Sequence, residues 1–327
     1  MAYETLQRVP EFGRAFGADY GTRATLQFVY EYLTRTERLE LDEVAFGATF
    51  EAFTSEIDDP DWTDVAFANL RNFKSDDALV DFGDGISIRH RSLDDIKERL
   101  GWTEWHFDHL TRDWMEGQAP SGHVVWVESV MQKTPDTAIG SANGTGRVLD
   151  LLLALWLFAP GDVSIGGIFT DRAARFDLGG GLSRANGMPG DTLGQQYQLA
   201  RTDASNVRAI YDDVVAFRRA TDVPSNVRLA VRRFESVYSR GIRQREDRII
   251  DELIALEALA GSGTELRFRL AFRVSSLLAS DDNERLTLFG AMKRYYDIRS
   301  KIVHGGDLNE AGRALVDDDA ELRTLLR

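Results

Sequence analysis

The feature that most restricts how this chain can fold is the apolar spacing of its final third. From Ser225 onward, apolar residues recur every three or four positions in successive runs. The first holds Val227, Val231, Phe234 and Tyr238, and the second Ile249, Ile250, Leu253, Ile254 and Leu256. Leu266, Leu270, Val274 and Leu277 make the third, and Leu286, Phe289, Met292, Tyr296 and Val303 the fourth. This period belongs to helices that bury one face. It predicts helices over Ser225 to Tyr238, Glu246 to Leu259, Thr264 to Leu278 with Thr264 as the cap, and Asp281 or Asp282 to His304. A last short helix ends in Leu325-Leu326-Arg327. The breaks are brief, as at Gly261-Ser262-Gly263, and short loops between long helices require antiparallel neighbours in an up-and-down bundle.

Upstream the pattern is mixed, so the chain as a whole reads as mainly α, a C-terminal bundle preceded by an α+β region. Residues 1–145 form that N-terminal region, 146–222 a helical connection with a Gly-rich loop, and 223–327 the bundle, bounded at Asp222-Val223-Pro224. Leu26, Val29, Tyr30 and Leu33 predict a helix from about Ala24 to Arg38. In residues 92–135, Ser92 can cap a helix through Leu100. Gly101 then turns the chain, Thr103 can cap a second helix to about Glu116, and His123-Val124-Val125-Trp126-Val127 suits the first strand of a hairpin. That is a winged-helix-like outline. The second helix carries Arg112 against Glu104, Asp108 and Asp113, a poor surface for DNA phosphates, which favours a partner-contact or structural role. His106 and His109 on it lack further ligands at motif spacing. Gly140-Ser141-Ala142-Asn143-Gly144-Thr145-Gly146 lacks the Gly-Lys-Ser/Thr ending of a P-loop and reads as a linker. Asp177 to Asp191 reads as a long surface excursion.

Composition narrows the chemistry. With no cysteine, disulfides, thiolate zinc sites and a cysteine nucleophile are excluded, and a reducing compartment is expected. The first residues lack the basic-then-apolar pattern of a secretory signal, and the apolar run Leu151 to Ala159 falls well short of the roughly 20 residues of a membrane span. The expectation is a cytoplasmic chain with no membrane partner. Of its 39 basic residues 34 are Arg, and the net charge is −14. Ser225 to His304 nevertheless holds fifteen basic against eleven acidic residues, a local +4 on an acidic chain. A polyanion site needs such a surface.

Within that basic stretch, Tyr295-Tyr296-Asp297-Ile298-Arg299-Ser300-Lys301-Ile302-Val303-His304-Gly305-Gly306 ends the fourth run. It places a permanent cation and an imidazole five positions apart, just before two glycines that stop the helix. On an ideal helix Arg299 and His304 lie about 140° apart, so one straight helix cannot aim both at a single atom. Either the helix loosens before Gly305-Gly306, or two subunits build the site across a two-fold axis. The competing reading is structural: Arg299 pairs with an acid, Asp297 or one on a neighbouring helix, and His304 is a C-terminal histidine favoured by the helix dipole.

Arg299-Ser300-Lys301-Ile302-Val303-His304 matches the R-x4-H signature of the HEPN superfamily. Its context resembles the ApeA-like HEPN family over about residues 230–310, through Glu246-Asp247-Arg248-Ile249-Ile250-Asp251, Ala255-Leu256-Glu257-Ala258-Leu259 and Glu265-Leu266-Arg267-Phe268-Arg269-Leu270. The resemblance implies a dimerising helical bundle, often a metal-independent endoribonuclease of toxin or antiviral-defence type, without cofactor or metal. It gives His304 the general acid/base role, Arg299 the scissile phosphate, and Ser300 a position often held by Asn, Asp or His. Glu257, Asp297 and Lys301 are supporting residues. RNA supplies its own nucleophile, the 2′-OH, so proton transfer and charge stabilisation suffice, and single-stranded RNA reaches in-line geometry most easily. The expected partners are RNA, a second copy through the C-terminal bundle, and a protein partner or trigger at the N-terminal region. The alternative is a non-catalytic dimerisation and nucleotide- or RNA-binding module whose N-terminal region contacts DNA or a partner.

Overall fold

The computed structural model describes residues 25–33, 35–36, 40–59, 61–100, 122–132, 142–172, 183–186, 195–240, 244–260 and 264–327. The chain divides into two compact units, the first of residues 1–149, 165–187 and 199–204, the second of 150–164, 188–198 and 205–327.

In the first unit, helix α1 (Glu43–Asp58) starts where the Asp42 carboxylate accepts the Val44 and Ala45 N–H groups, two of the donors a helix leaves orphaned at its N-terminus. Strands β1 (Asp61–Arg71), β2 (Phe73–Ser75), β3 (Leu79–Asp81) and β4 (Ile86–His90) follow. Then come helix α2 (Leu93–Leu100), strand β5 (His123–Gln132), helix α3 (Ala142–Phe158), which from Asp150 onward belongs to the second unit, and strands β6 (Ser164–Arg172) and β7 (Ser183–Asn186). Six strands form one sheet in the order β3-β4-β5-β1-β6-β7. β5 runs antiparallel to β1 (Phe67 opposite Trp126) and to β4 (Ile88 opposite Val125). Every residue of β1 from Asp64 to Leu70 is buried. Since successive side chains point to opposite faces, both faces of the strand are covered. Phe67 stacks between Trp126 and Phe169, at centroid separations of 5.7 and 5.2 Å.

Two expectations are corrected here. His123–Val127 is a strand, but its partners β1 and β4 both precede it in the chain, so it sits inside the sheet and does not open a hairpin. Gly144 and Gly146 stand within α3 instead of a linker. Glycine costs a helix about 1 kcal/mol each, while the run that follows buries Val148 and Leu151 to Trp156 completely, several side chains at about 1.5–3 kcal/mol apiece. Ser92 caps α2 as expected, its Oγ accepting the Asp95 N–H while Asp95 accepts the Ser92 N–H. The second helix of the winged-helix outline, with His106 and His109, lies outside the described residues, as does the Asp177–Asp191 excursion apart from β7.

The second unit is helical: α4 (Ala204–Arg219), α5 (Ser225–Ser239), α6 (Arg245–Ala260), α7 (Leu266–Leu278), α8 (Asp282–Val303), α9 (Glu310–Asp317) and α10 (Ala320–Leu326). The chain is thus mainly α, with a helical bundle at its C-terminal end. Ile249, Leu253, Leu270, Val274, Met292, Tyr295 and Leu322 interlock as its core. Trp156 stacks on Tyr238 at 4.4 Å and 10° and donates its indole N–H to the Val163 carbonyl. Thr264 does not cap α7. Glu265 holds that position in a left-handed conformation (φ 58°) with no side-chain cap bond. α8 starts as expected, Asp281 accepting the Glu284 N–H at 2.8 Å. Among the described residues no helix is long and apolar enough to cross a membrane.

Candidate functional site

Helix α8 stays helical through Val303, and His304 is its C-cap, with φ −95° and ψ 8°. The His304 N–H still reaches the Ser300 carbonyl at 3.1 Å, and Gly306 N–H returns to the Lys301 carbonyl at 2.8 Å. Gly305 takes φ +67°, the left-handed turn that glycine makes without steric cost and that satisfies the last carbonyls of a helix. The helix therefore does not loosen between Arg299 and His304, and the angular separation of about 140° persists to the cap.

The two side chains have different surroundings. The His304 side chain is exposed. Arg299 is 24% exposed and approaches Glu257 of α6, Nη1 to Oε1 at 3.5 Å, while its guanidinium lies 5.8 Å from the Tyr296 ring centroid. Its Nε is buried with no hydrogen-bond partner. Burial raises the Glu257 carboxyl above its ordinary value, and the Arg299 charge opposes that rise. The pair is loosely made, which leaves donors on Arg299 for a further anion.

Asp297 turns to α7 instead, pairing with Arg267 at 2.5 Å. Ser300 contributes its carbonyl to the helix end, and Lys301 is exposed. One chain therefore brings Arg299 and Glu257 together and leaves His304, Ser300 and Lys301 on the outer side of the helix end.

Between Arg299 and His304 runs an apolar seam. Phe289, Tyr296 and Val303 are seven residues apart, a spacing that drifts only about 20° per step around a helix. Val303 is 54% exposed and Leu286 72%. On α7, Phe268 and Phe272 are exposed and stacked on each other, and Phe268 meets Phe289 edge to face at 5.6 Å. Exposed apolar side chains on adjoining helices mark an association surface when they form one patch.

Compared with protein-family models, with curated proteins and with solved structures, the chain matches none.

A second polar cluster lay beyond sequence reasoning. Glu252 of α6 and Asp319 before α10 are both buried, and Asp319 takes Arg248 at 2.8 Å and Arg323 at 2.9 Å. Asp319 and Arg323 stand four apart at a helix start, a visible pairing. Glu252, in contrast, occupies a core-facing position with no local mark that it is charged or buried.

Proposed function

We propose that the C-terminal bundle is a metal-independent endoribonuclease of HEPN type, acting as a homodimer on single-stranded RNA. The observation that carries this reading is the arrangement at the end of α8: an exposed imidazole and a guanidinium with spare donors, on either flank of an apolar seam whose Val303 end is exposed. A second copy packed along that seam places its own helix end beside the first. Arg299 of one subunit and His304 of the other then reach one phosphodiester, an isologous contact that supplies two such sites. His304 withdraws the 2′-OH proton or protonates the 5′ leaving oxygen, and Arg299 neutralises the charge that grows on the non-bridging oxygens. The products are a 2′,3′-cyclic phosphate and a 5′-OH. A toxin or antiviral-defence role follows from the resemblance at the signature.

The Arg299–Glu257 contact favours a second reading, in which the guanidinium is structural and the bundle is a non-catalytic dimerisation and RNA- or nucleotide-binding module. Incubation of single-stranded RNA with the protein in EDTA separates the two. The nuclease predicts cleavage to 5′-OH ends that falls by at least about 100-fold in His304→Ala, the usual scale for loss of a general acid/base, and is also lost in Arg299→Ala. Intact RNA with wild-type protein at both low and high KCl, or equal cleavage by His304→Ala, overturns it.

A further inference from the structure

The second unit contains a cavity of about 390 Å³ lined by arginines and aspartates. Arg240, Arg245, Arg248, Arg323 and Arg327 line it together with Asp162, Asp317, Asp318 and Asp319, while Pro160, Val163, Val237 and Tyr238 form its apolar wall. On a chain of net charge −14, five guanidinium groups around one hollow need a physical explanation.

Internal carboxylates answer most of that charge, two of them shared between arginines, and Arg240 also meets Asp247 at 3.5 Å. Asp251, buried behind the lining, takes both Arg233 at 2.7 Å and Arg240 at 3.1 Å. Asp319 likewise takes both Arg248 and Arg323, and Arg323 also meets Asp162. Arg327 donates to neutral oxygens, the Trp156 carbonyl at 2.8 Å and the Tyr238 hydroxyl at 2.6 Å. Arg248 keeps a buried Nε with no hydrogen-bond partner. Arg245 pairs with Asp317 at 2.6 Å, with side-chain exposures of 33% and 64%. An exposed pair of this kind adds little net stability, so its guanidinium can exchange Asp317 for another anion at little cost.

The guanidinium groups come from three directions: the end of α5, the first turn of α6, and α10. A carboxylate offers two coplanar oxygens, whereas a phosphate monoester offers three in a tetrahedral array and a second negative charge, which suits convergent forks. The volume exceeds what a phosphate group needs and falls within the usual range of about 300–1,000 Å³ for small-molecule sites. The apolar wall then receives an organic body.

We infer that this cavity is a binding site for a phosphorylated small molecule, whose phosphate displaces Asp317 from Arg245 and is held by the surrounding arginines. The site uses neither Arg299 nor His304 and stands whether or not the ribonuclease reading does. Asp317 and Glu246 also line a neighbouring cleft with Ile302, Gly305 and Gly306.

Calorimetric titration of the full chain with ribose 5-phosphate, and with ribose as control, tests this. Saturable binding of ribose 5-phosphate alone is expected. Arg245→Gln weakens it about tenfold or more, the scale of one charge-assisted hydrogen bond. Asp317→Asn strengthens it, because the competing anion is gone. Both substitutions sit on an exposed ion pair, and thermal unfolding checks that each variant retains the fold. Equal heats with ribose, no saturation at millimolar ribose 5-phosphate, unchanged affinity in Arg245→Gln, or weaker binding by Asp317→Asn overturns the proposal.

Discussion

Glu252 is a carboxyl with no access to water; no donor reaches its oxygens, and the group it can share a proton with is the Asp319 carboxylate. Burial first, and then the neighbouring Asp319 carboxylate, push it well above its ordinary value of 4.5, while Arg248 and Arg323 only partly oppose the rise. A raised carboxyl holds its proton in the folded chain after the unfolded chain has lost it. Its contribution to stability is therefore complete below about pH 4.5 and declines as pH rises toward the folded value. Glu252→Gln keeps a neutral, nearly isosteric side chain at every pH. The variant should match wild type near pH 4.5 and be more stable at pH 8, read as a higher urea midpoint at the higher pH only. Asp150, Glu235 and Glu257 are raised by burial too, so the comparison between variant and wild type is what isolates Glu252. An equal loss of midpoint at both pH values would show that folding does not raise this carboxyl above its unfolded value.

The helices of the bundle could be read from sequence because each carries its own period, and their ends because single residues mark them. Asp281 is such a mark. Its carboxylate caps α8, and the Glu284 carboxylate reaches back to the Ser280 N–H and hydroxyl. Asp281→Ala should cost about 1 kcal/mol, the usual cost of losing an N-cap acceptor, measured by denaturant unfolding, with Asp281→Asn nearly neutral. In the sheet only β5 was marked, by the run His123 to Val127. β1 is buried on both faces, which erases the alternation that announces a strand. Its neighbour β5 begins 62 positions after the start of β1, at His123 against Asp61, so no local turn signals the pairing. The cap of α7 failed for a different reason: Thr264 has the right chemistry, but the chain reaches the helix through a left-handed Glu265. The candidate site divides in the same way. Arg299, His304 and the glycine stop were visible as a spacing, whereas Asp297 turning to Arg267, and Glu257 meeting Arg299, depend on how α6 and α7 lie against α8.

For the whole molecule, the decisive question is how many chains make one site. The arc of about 140° between Arg299 and His304 survives intact to the C-cap, and the seam of Phe289, Tyr296 and Val303 fills it. On the proposed reading, a dimer across that seam makes each site from Arg299 of one copy and His304 of the other. Mixing the inactive Arg299→Ala and His304→Ala proteins then restores activity. Half the dimers are mixed after subunit exchange, each has one of its two sites intact, and cleavage returns to about one quarter of the wild-type rate. A site contained in one chain predicts no recovery at any mixing ratio. Val303→Arg adds a control from the seam itself. The charge opposes close approach of two copies while leaving Arg299 and His304 in place, so it should yield monomers by light scattering and abolish cleavage. Monomeric Val303→Arg protein that still cuts RNA at the wild-type rate would place the whole reaction within one subunit, with no part in it for the seam.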